Sequence, residues 1–137
     1  MCPIRIYSER IDFEVKGEFH VVDLISKVDS VVERSGINEG VVFVSTGHTT
    51  GIIVLNEYEG GILEDLVGFL RRFIPSDGEY AHSENGFAHL RSIFFMSSKI
   101  IPIHAGRLSL GRWQNLYWVE MDRHARKRII EATIIGE

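Results

Sequence analysis

Short β-type segments, separated by turn residues, outnumber the helical segments of this chain and are not regularly interleaved with them. Four such segments follow residue 98: "KIIPI", "RLSLGRWQ", "LYWVEM" and "KRIIEATIIG". Residues 4–15 alternate apolar and polar side chains, which is typical of a half-buried strand pair. This arrangement predicts an α+β fold with packed, largely antiparallel β-sheets, since a doubly wound parallel sheet would alternate strands with helices.

Two segments have the apolar spacing of amphipathic helices. Residues 19–35 place Leu24, Ile25 and five valines on one helical face, and Gly36 is a typical helix stop. Residues 59–74 carry acids early and arginines late, as the helix dipole favours, and Pro75 ends the segment. The polar stretch that follows, residues 75–88, predicts a loop.

Composition limits the class of protein more than it identifies it. A length of 137 residues predicts one domain over residues 1–137, and 45% hydrophobic with 25% charged residues is typical of a soluble globular protein. The net charge of −4 gives no electrostatic basis for binding nucleic acid or an anionic membrane. Cys2, expected to be a free surface thiol, leaves no internal disulfide. With no signal region and no membrane-spanning run, we expect a cytoplasmic protein.

The stretch "STGHTTG", residues 45–51, surrounds His48 with hydroxyl side chains between two strand-like runs. A tight hairpin needs only a couple of turn residues, so this loop is longer and more polar than the turn requires. It lacks the Walker lysine, and a strand follows it instead of a helix, which excludes a nucleotide P-loop. The chain also has no G-x-S-x-G nucleophile elbow.

Three histidines, His48, His82 and His89, are candidate metal ligands. Neutral imidazole is the commonest transition-metal ligand, and catalytic zinc typically has three protein ligands with one open position. Asn85 and Gly86 predict a loop between His82 and His89, and a loop can turn both rings toward one ion. No fixed-spacing metal motif is present, so spacing alone favours loop histidines that cap backbone groups.

The remaining histidines and the basic run have simpler interpretations. We expect His20 near a helix start, His104 at a strand end and His124 in a solvated charged turn. The basic run is short and balanced by nearby acids, so a solvated face is favoured over nucleic-acid contact. Its members are Arg123, Arg126, Lys127 and Arg128.

The stretch "LGRWQNLYW", residues 110–118, combines a bend with polar and aromatic side chains. Gly111 predicts a tight bend that lets the backbone approach a ligand closely. Gln114 could hold a substrate through its amide, Arg112 or Arg107 could bind an anion, and Trp113 could form a pocket wall.

The aromatic residues of this stretch also have a structural interpretation, as strand residues that fill a core or a subunit interface. For Tyr117 and Trp118 that interpretation is favoured. Asn56 and Glu57 stand at a strand end just before the second helix. They either cap that helix or contribute a carboxylate to the same pocket, and the residues alone leave both alternatives open.

Three stretches together resemble the YjbQ family: "GHTTGIIVLNE", "YAHSENGFAHL" and "SSKIIPIHAGRLSLGRWQNLYWVEMD". The resemblance extends from about residue 5 to Glu137, with the pieces in the family's order and spacing. The family pattern H-T-T falls on residues 48–50, and N-E falls on residues 56–57. The family's paired histidines fall on His82 and His89, and its G-x-W-Q falls on Gly111, Trp113 and Gln114.

The resemblance implies packed antiparallel sheets, a homotrimer, and a pocket at or near the subunit boundary where the histidines converge. It also implies a bound divalent metal, with zinc the expected ion. A secondary thiamine-phosphate synthase activity is implied as well, which joins a pyrimidine diphosphate to a thiazole phosphate. The alternative is a non-catalytic trimer that holds a metabolite or a metal.

On this resemblance we assign roles to individual residues. The predicted zinc ligands are His48, His82 and His89. Glu57 is the predicted general base, with Arg112 and Gln114 as further catalytic residues. The predicted substrate-binding residues are Thr49, Thr50, Asn56, Asn85, Gly111 and Trp113. Without a metal, the histidines would instead be hydrogen-bonding groups for an anionic ligand.

The chain departs from the family pattern at three places. "NEYEGG" stands where N-E-N-A-D is usual, Arg112 where a threonine is usual, and Gly51 where an alanine is usual. Arg112 adds a cation that a phosphorylated ligand could use. Such a ligand suits either a transferase or a hydrolase, although three histidines fit Mg²⁺, the usual partner of a leaving diphosphate, poorly.

Overall fold

A computed structural model describes residues 3–95 and 98–137, so the expectation for Cys2 lies outside the described residues. The elements run in the order β1 (Arg5–Val15), β2 (Val21–Asp23), α1 (Ile25–Ser35), β3 (Gly40–Ser45), β4 (Gly51–Asn56), α2 (Gly60–Phe73), α3 (Gly86–Ile93), β5 (Ser98–His104), β6 (Arg107–Leu108), β7 (Asn115–Glu120) and β8 (Arg126–Gly136).

The strands form two antiparallel sheets, which confirms the predicted α+β fold. One sheet has the order β1-β8-β3-β5-β6 and the other has the order β2-β7-β4. β1 pairs with β8 from Arg5↔Gly136 to Val15↔Arg126. In the smaller sheet, β4 pairs with β7 from Gly51↔Glu120 to Asn56↔Asn115.

The smaller sheet is buried on both faces, which gives the molecule two apolar cores. One face packs Ile53 and Trp118 against the five-stranded sheet and α1. The other face packs Ile52 and Tyr117 against α2 and α3. The predicted core positions of Tyr117 and Trp118 are therefore confirmed, at 1% and 0% exposure.

The helix predictions were partly right. α1 ends where expected, at Gly36, whose φ of 68° suits glycine. It begins later than predicted, because residues 21–23 pair with β7 instead. α2 agrees closely with the prediction, and the Glu59 carboxylate caps it by accepting from the N–H groups of Gly61 and Ile62.

Two local predictions were wrong. Residues 4–15 are not a strand pair but one long strand, because β8 offers eleven partners in unbroken register. The predicted loop of residues 75–88 ends early, because a third helix, α3, begins at Gly86. Among the described residues, no helix has the length and apolarity needed to span a membrane.

Candidate functional site

A polar cavity of about 300 Å³ lies between the β3–β4 loop, the start of α3 and the start of β8. We call it the arginine–histidine pocket. It brings together five residues that the sequence singled out, and it adds two arginines that the sequence analysis placed on a solvated face. Its lining comprises Gly47, His48, Thr49, Thr50, Asn85, His89, Arg126 and Arg128.

His48 reaches the pocket from the β3–β4 loop and is held from both sides. Its Nε2 accepts a hydrogen bond of 3.0 Å from the backbone N–H of Ile129. Thr46 fixes the loop, since its hydroxyl accepts from the His48 backbone N–H and donates to the Ile129 carbonyl. Because Nε2 accepts, the neutral ring carries its proton on Nδ1 and offers a donor there.

The neutral form of His48 is favoured by its surroundings. Burial lowers the pKa of the imidazole below its ordinary value of 6.5, and the positive charges of Arg128 and Arg126 lower it further. The ring also meets the edge of Trp118, with the ring centroids 6.3 Å apart. His48 therefore stands in the pocket as a neutral, oriented hydrogen-bond donor.

Arg128 is the main residue that the sequence analysis missed. Its side chain is 1% exposed and forms a buried ion pair with Glu120, which is 0% exposed. The guanidinium also donates to the carbonyl and the hydroxyl of Thr50, at 3.1 Å and 2.7 Å. The predicted solvated face is therefore wrong for Arg128, because the pairing partner is a buried carboxylate on β7.

A sequence signal for Arg128 existed in the strand alternation. Side chains two residues apart in a strand share a face, so Arg128 shares a face with Ile130 and Ala132, which are buried. An arginine on the apolar face of a strand requires a buried partner. Glu120 is that partner, and it also accepts from the indole N–H of Trp118 at 3.0 Å.

Asn85 links the pocket to a second buried acid. Its amide nitrogen donates to the Asp122 carboxylate at 2.9 Å, and Asp122 is 4% exposed. Burial alone would raise the pKa of Asp122, yet the hydrogen bonds from Asn85 and the Arg123 backbone and the charge of Arg126 hold it below its usual value. The Asp122 carboxylate therefore stays ionised and fixes the orientation of the Asn85 amide.

His82 and His89 lie side by side; His82 stands in the bend before α3, as the predicted loop requires, whereas His89 lies within α3. Their ring centroids are 4.9 Å apart in an edge-to-face arrangement. The Nε2 of His82 lies 3.0 Å from the side-chain oxygen of Asn85, so this nitrogen carries the proton in the neutral ring. His89 lines the pocket and His82 lies exposed beside it.

The donors of the predicted zinc site do not form a ready three-ligand set in one chain. Within residues 3–95 and 98–137, no group of three histidine, cysteine or acidic side chains is arranged to hold a metal ion. The lone pair on Nε2 of His48 already accepts from the Ile129 backbone. Zinc binding stays a prediction.

The other predicted site residues lie at the opposite end of the smaller sheet. Asn56 is five residues from Gly51 along β4, which is about 17 Å. None of the following lines the arginine–histidine pocket: Asn56, Glu57, Gly111, Arg112, Trp113 and Gln114. The structure thus divides the candidate residues into two groups within one chain.

The residues at this opposite end, which we call the far group, form hydrogen bonds with one another. The side-chain oxygen of Gln114 accepts from the Gly111 N–H at 2.8 Å, and the Gln114 N–H donates to the Gly111 carbonyl. The bend predicted at Gly111 is therefore a turn fastened by Gln114. Trp113 is 64% exposed, and the Arg112 guanidinium lies 4.9 Å from its ring centroid. Asn56 accepts from the Glu57 N–H, outside the helix, and the cap of α2 is Glu59, so the capping alternative is wrong for Asn56.

Two further cavities share His48 with the arginine–histidine pocket. One, of about 370 Å³, is lined on its apolar side by Ile93 and Phe95. The other, of about 460 Å³, lies toward Arg10 and Glu131 on the outer face of the five-stranded sheet. His48 therefore stands where a polar space and a partly apolar space meet.

The chain is similar to proteins of one family along nearly its whole length. The family model described as "UPF0047 protein YjbQ-like" matches residues 9–137. A UPF0047 protein of Methanothermobacter thermautotrophicus is 30% identical over 137 residues, covering 98% of this chain and 95% of the relative. The UPF0047 protein YjbQ of Escherichia coli O157:H7 is 29% identical, covering 96% of this chain and 99% of the relative.

Solved structures give the same result. A YbjQ-like protein of unknown function from Sulfolobus solfataricus P2 superposes with a TM-score of 0.93 at 32% identity, covering 98% of this chain and 100% of the other. A hypothetical protein from Aeropyrum pernix K1 superposes with a TM-score of 0.84 at 36% identity, covering 94% of this chain and 99% of the other.

Proposed function

The chain belongs to the UPF0047 family of YjbQ-like proteins, and we propose that it binds a small phosphorylated molecule in the arginine–histidine pocket. The observation that carries this proposal is the convergence of the Arg126, Arg128 and His48 side chains on one cavity. Arginine side chains are pure donors, and their planar fork matches the oxygens of a phosphate.

Arg128 supports the proposal through the way its N–H groups are used. Nε donates to Glu120, and one terminal nitrogen donates to Glu120 and Thr50. The other terminal nitrogen makes no hydrogen bond within the described residues, although the side chain lines the cavity. A buried guanidinium held rigidly by two partners, with donors left over, is a pre-organised anion site.

Arg126 supplies the mobile part of the same site. Its side chain is 46% exposed and lies 3.8 Å from Asp122, which is a loose contact. A ligand phosphate could therefore attract Arg126 without breaking a strong ion pair. Glu120 and Asp122 stand behind the two arginines and are already occupied by hydrogen bonds, so they orient the cations toward the cavity.

The implied transferase chemistry suits this set of donors. In thiamine-phosphate synthesis the pyrimidine methylene carbon forms a bond to the thiazole nitrogen while its bond to the diphosphate oxygen breaks. The diphosphate leaves with the bonding electrons, and the two arginines and His48 would stabilise that developing charge. His89 lies in the same pocket and could donate to a diphosphate oxygen, while Ile93 and Phe95 offer an apolar wall to a ring.

The predicted homotrimer gives the far group a route to the same ligand. Because Glu57, Arg112 and Gln114 lie beyond the Asn56 end of the smaller sheet, and β4 alone spans about 17 Å, they could act on the pocket's ligand only across a subunit boundary. Their catalytic roles therefore depend on the trimer.

Binding of inorganic diphosphate, measured by isothermal titration calorimetry, tests the proposal. We expect Arg126→Gln to weaken binding by about tenfold or more, since a charge-assisted hydrogen bond contributes about 1.5–3 kcal/mol. Lys127→Gln is the matched control, because it removes the same charge one residue away, where the side chain pairs with Asp12. Equal weakening in both variants would contradict a local site and indicate general charge attraction.

Turnover separates the transferase from a non-catalytic binding protein. The protein is incubated with the pyrimidine diphosphate and the thiazole phosphate, and phosphorus NMR follows the diphosphate released. Release matched by thiamine phosphate formed would support the transferase. Tight binding of the pyrimidine diphosphate without release would support the binding protein.

Metal content tests the zinc prediction separately. Mass spectrometry of protein purified without chelator is compared for the wild type, His48→Ala and His89→Ala. About one zinc per chain, lost in both variants, would support a three-histidine site. A wild type without metal that still binds diphosphate would leave the histidines as hydrogen-bonding groups for the anion.

A further inference from the structure

The outer side of α2 and the end of α3 form a continuous apolar surface that faces solvent in the single chain. Phe69 and Phe73 stack with ring centroids 5.4 Å apart, and Phe94 meets Phe73 edge-on at 5.3 Å. These three side chains are 47%, 54% and 63% exposed. We call this surface the aromatic face; its further members are Ile62, Leu90 and Ile93.

A continuous exposed apolar surface of this kind marks an interaction site. Burying its aromatic side chains against a partner would remove a large apolar area from water, which is favourable. The charges beside it indicate which partner fits. Asp65 and Arg72 are exposed, lie on the same side of α2 two turns apart, and flank the line through Ile62, Phe69 and Phe73. Neither forms an ion pair within the described residues.

We infer that the aromatic face binds the aromatic face of a second copy of this chain, with the two α2 helices antiparallel about a two-fold axis. With the axis passing between Gly68 and Phe69, Asp65 of each copy lies opposite Arg72 of the other. Both ion pairs form at once, because a two-fold contact is self-complementary. The parallel arrangement would place like charges together.

Gly68 leaves the Arg72 side chain free to turn. It has no side chain, and the only group near its missing Cβ position is the end of the flexible Arg72 side chain, at 3.3 Å. Arg72 can therefore turn out of the groove that it lines, past a residue without a side chain, to reach Asp65 of the second copy. The same movement replaces an unpaired exposed charge by an interfacial ion pair.

This contact differs from the one that builds the predicted homotrimer. A cyclic trimer uses two different surfaces of each subunit, whereas the aromatic face meets its own copy. The inference does not depend on the proposed ligand or on the trimer. The two-fold contact joins two copies of whatever assembly the other surfaces form, so a trimer would become a pair of trimers.

Charge exchange tests the inference by light scattering during gel filtration. Asp65→Arg and Arg72→Asp each place like charges opposite each other twice, so each variant should have half the mass of the wild type. The double variant carrying both changes restores opposite charges and should regain the wild-type mass. Within one helix the two positions are about 10 Å apart, so recovery can arise only between copies.

Glu64→Arg is the matched control, since Glu64 is the neighbouring acid but lies on nearly the opposite side of α2 from Ile62, two residues along the helix. Its mass should equal that of the wild type. A double variant that stays at half mass would overturn the inference. So would an unchanged mass in both single variants, the result expected if a lipid surface or another protein covers the aromatic face.

Discussion

At the scale of single residues, the burial of one cation determines how the arginine–histidine pocket is built. Arg128 is 1% exposed and would be unstable there without Glu120, whose carboxylate receives two of its N–H groups. The same pairing holds the guanidinium still beside Thr50. An arginine held this firmly can receive a phosphate without first losing side-chain entropy.

Replacing Glu120 by glutamine tests this pairing through stability. The change leaves Arg128 as a buried charge without a counter-charge, which should lower the free energy of unfolding by about 3 kcal/mol or more. Urea denaturation measures it. Asp12→Asn is the control, because it breaks the exposed pair with Lys127 and should cost less than about 1 kcal/mol. Similar small losses in both variants would contradict the structural role of the buried pair.

His48 gives a prediction about pH. Its folded-state pKa lies below 6.5 because burial and two arginines disfavour the charged ring. As the pH falls below that ordinary value, the unfolded chain takes up the proton more readily than the folded chain, so the stability that neutral His48 contributes is lost. The stability difference between the wild type and His48→Gln should therefore shrink between about pH 7.5 and about pH 5.5. A constant difference would contradict the shift.

At the scale of elements, the pairing of β4 with β7 places the pocket next to the core. Gly51 begins β4 opposite Glu120, and the indole of Trp118 fills the space above it. A Cβ atom at Gly51 would lie 1.9 Å from a ring carbon of Trp118. The glycine that stands in place of the family's usual alanine thus has a packing reason in this chain.

Gly51→Ala should therefore destabilise the protein by about 1–3 kcal/mol, because Trp118 must move in a filled core. Thermal unfolding followed by circular dichroism measures the loss. Gly47→Ala is the matched control from the same loop, since nothing lies within 4 Å of its missing Cβ position. If the two variants unfold at the same temperature, the contact between Gly51 and Trp118 is not as tight as described.

The elements that the sequence did not predict depend on tertiary contacts. α3 follows a polar stretch with little helical pattern. Its position is stabilised by Arg91, which is fully buried and donates a hydrogen bond of 3.0 Å to the Ile74 carbonyl. The rings of Phe19 and Phe87 lie 4.6 Å and 5.0 Å from the guanidinium. Contacts between residues so far apart in sequence leave no local periodicity to read.

At the scale of the whole molecule, the pocket forms where three distant segments meet. Sequence reasoning predicted two of them, the loop around His48 and the segment of Asn85 and His89, because polar residues at strand ends and in loops stand out locally. The third segment, with Arg126 and Arg128, was missed because a charge run resembles a solvated surface. The alternation along β8 carried a signal for Arg128, and the pairing of β8 with its neighbours establishes that this face is the buried one.

The length of β4 explains why the residues of one predicted site lie in two separate groups. The motifs at residues 48–50 and 56–57 are close in sequence, yet an extended strand of six residues separates their side chains. Because an extended strand rises about 3.3 Å per residue, two motifs at its opposite ends lie far apart in space even when few residues separate them in sequence.

The most direct test of the account is a crystal structure of the protein with inorganic diphosphate. We expect the anion in the arginine–histidine pocket, with its oxygens within hydrogen-bonding distance of Arg126, Arg128 and the Nδ1 of His48. Diphosphate bound instead beside Arg112 and Trp113, or absent from the pocket at concentrations that saturate binding in solution, would contradict it.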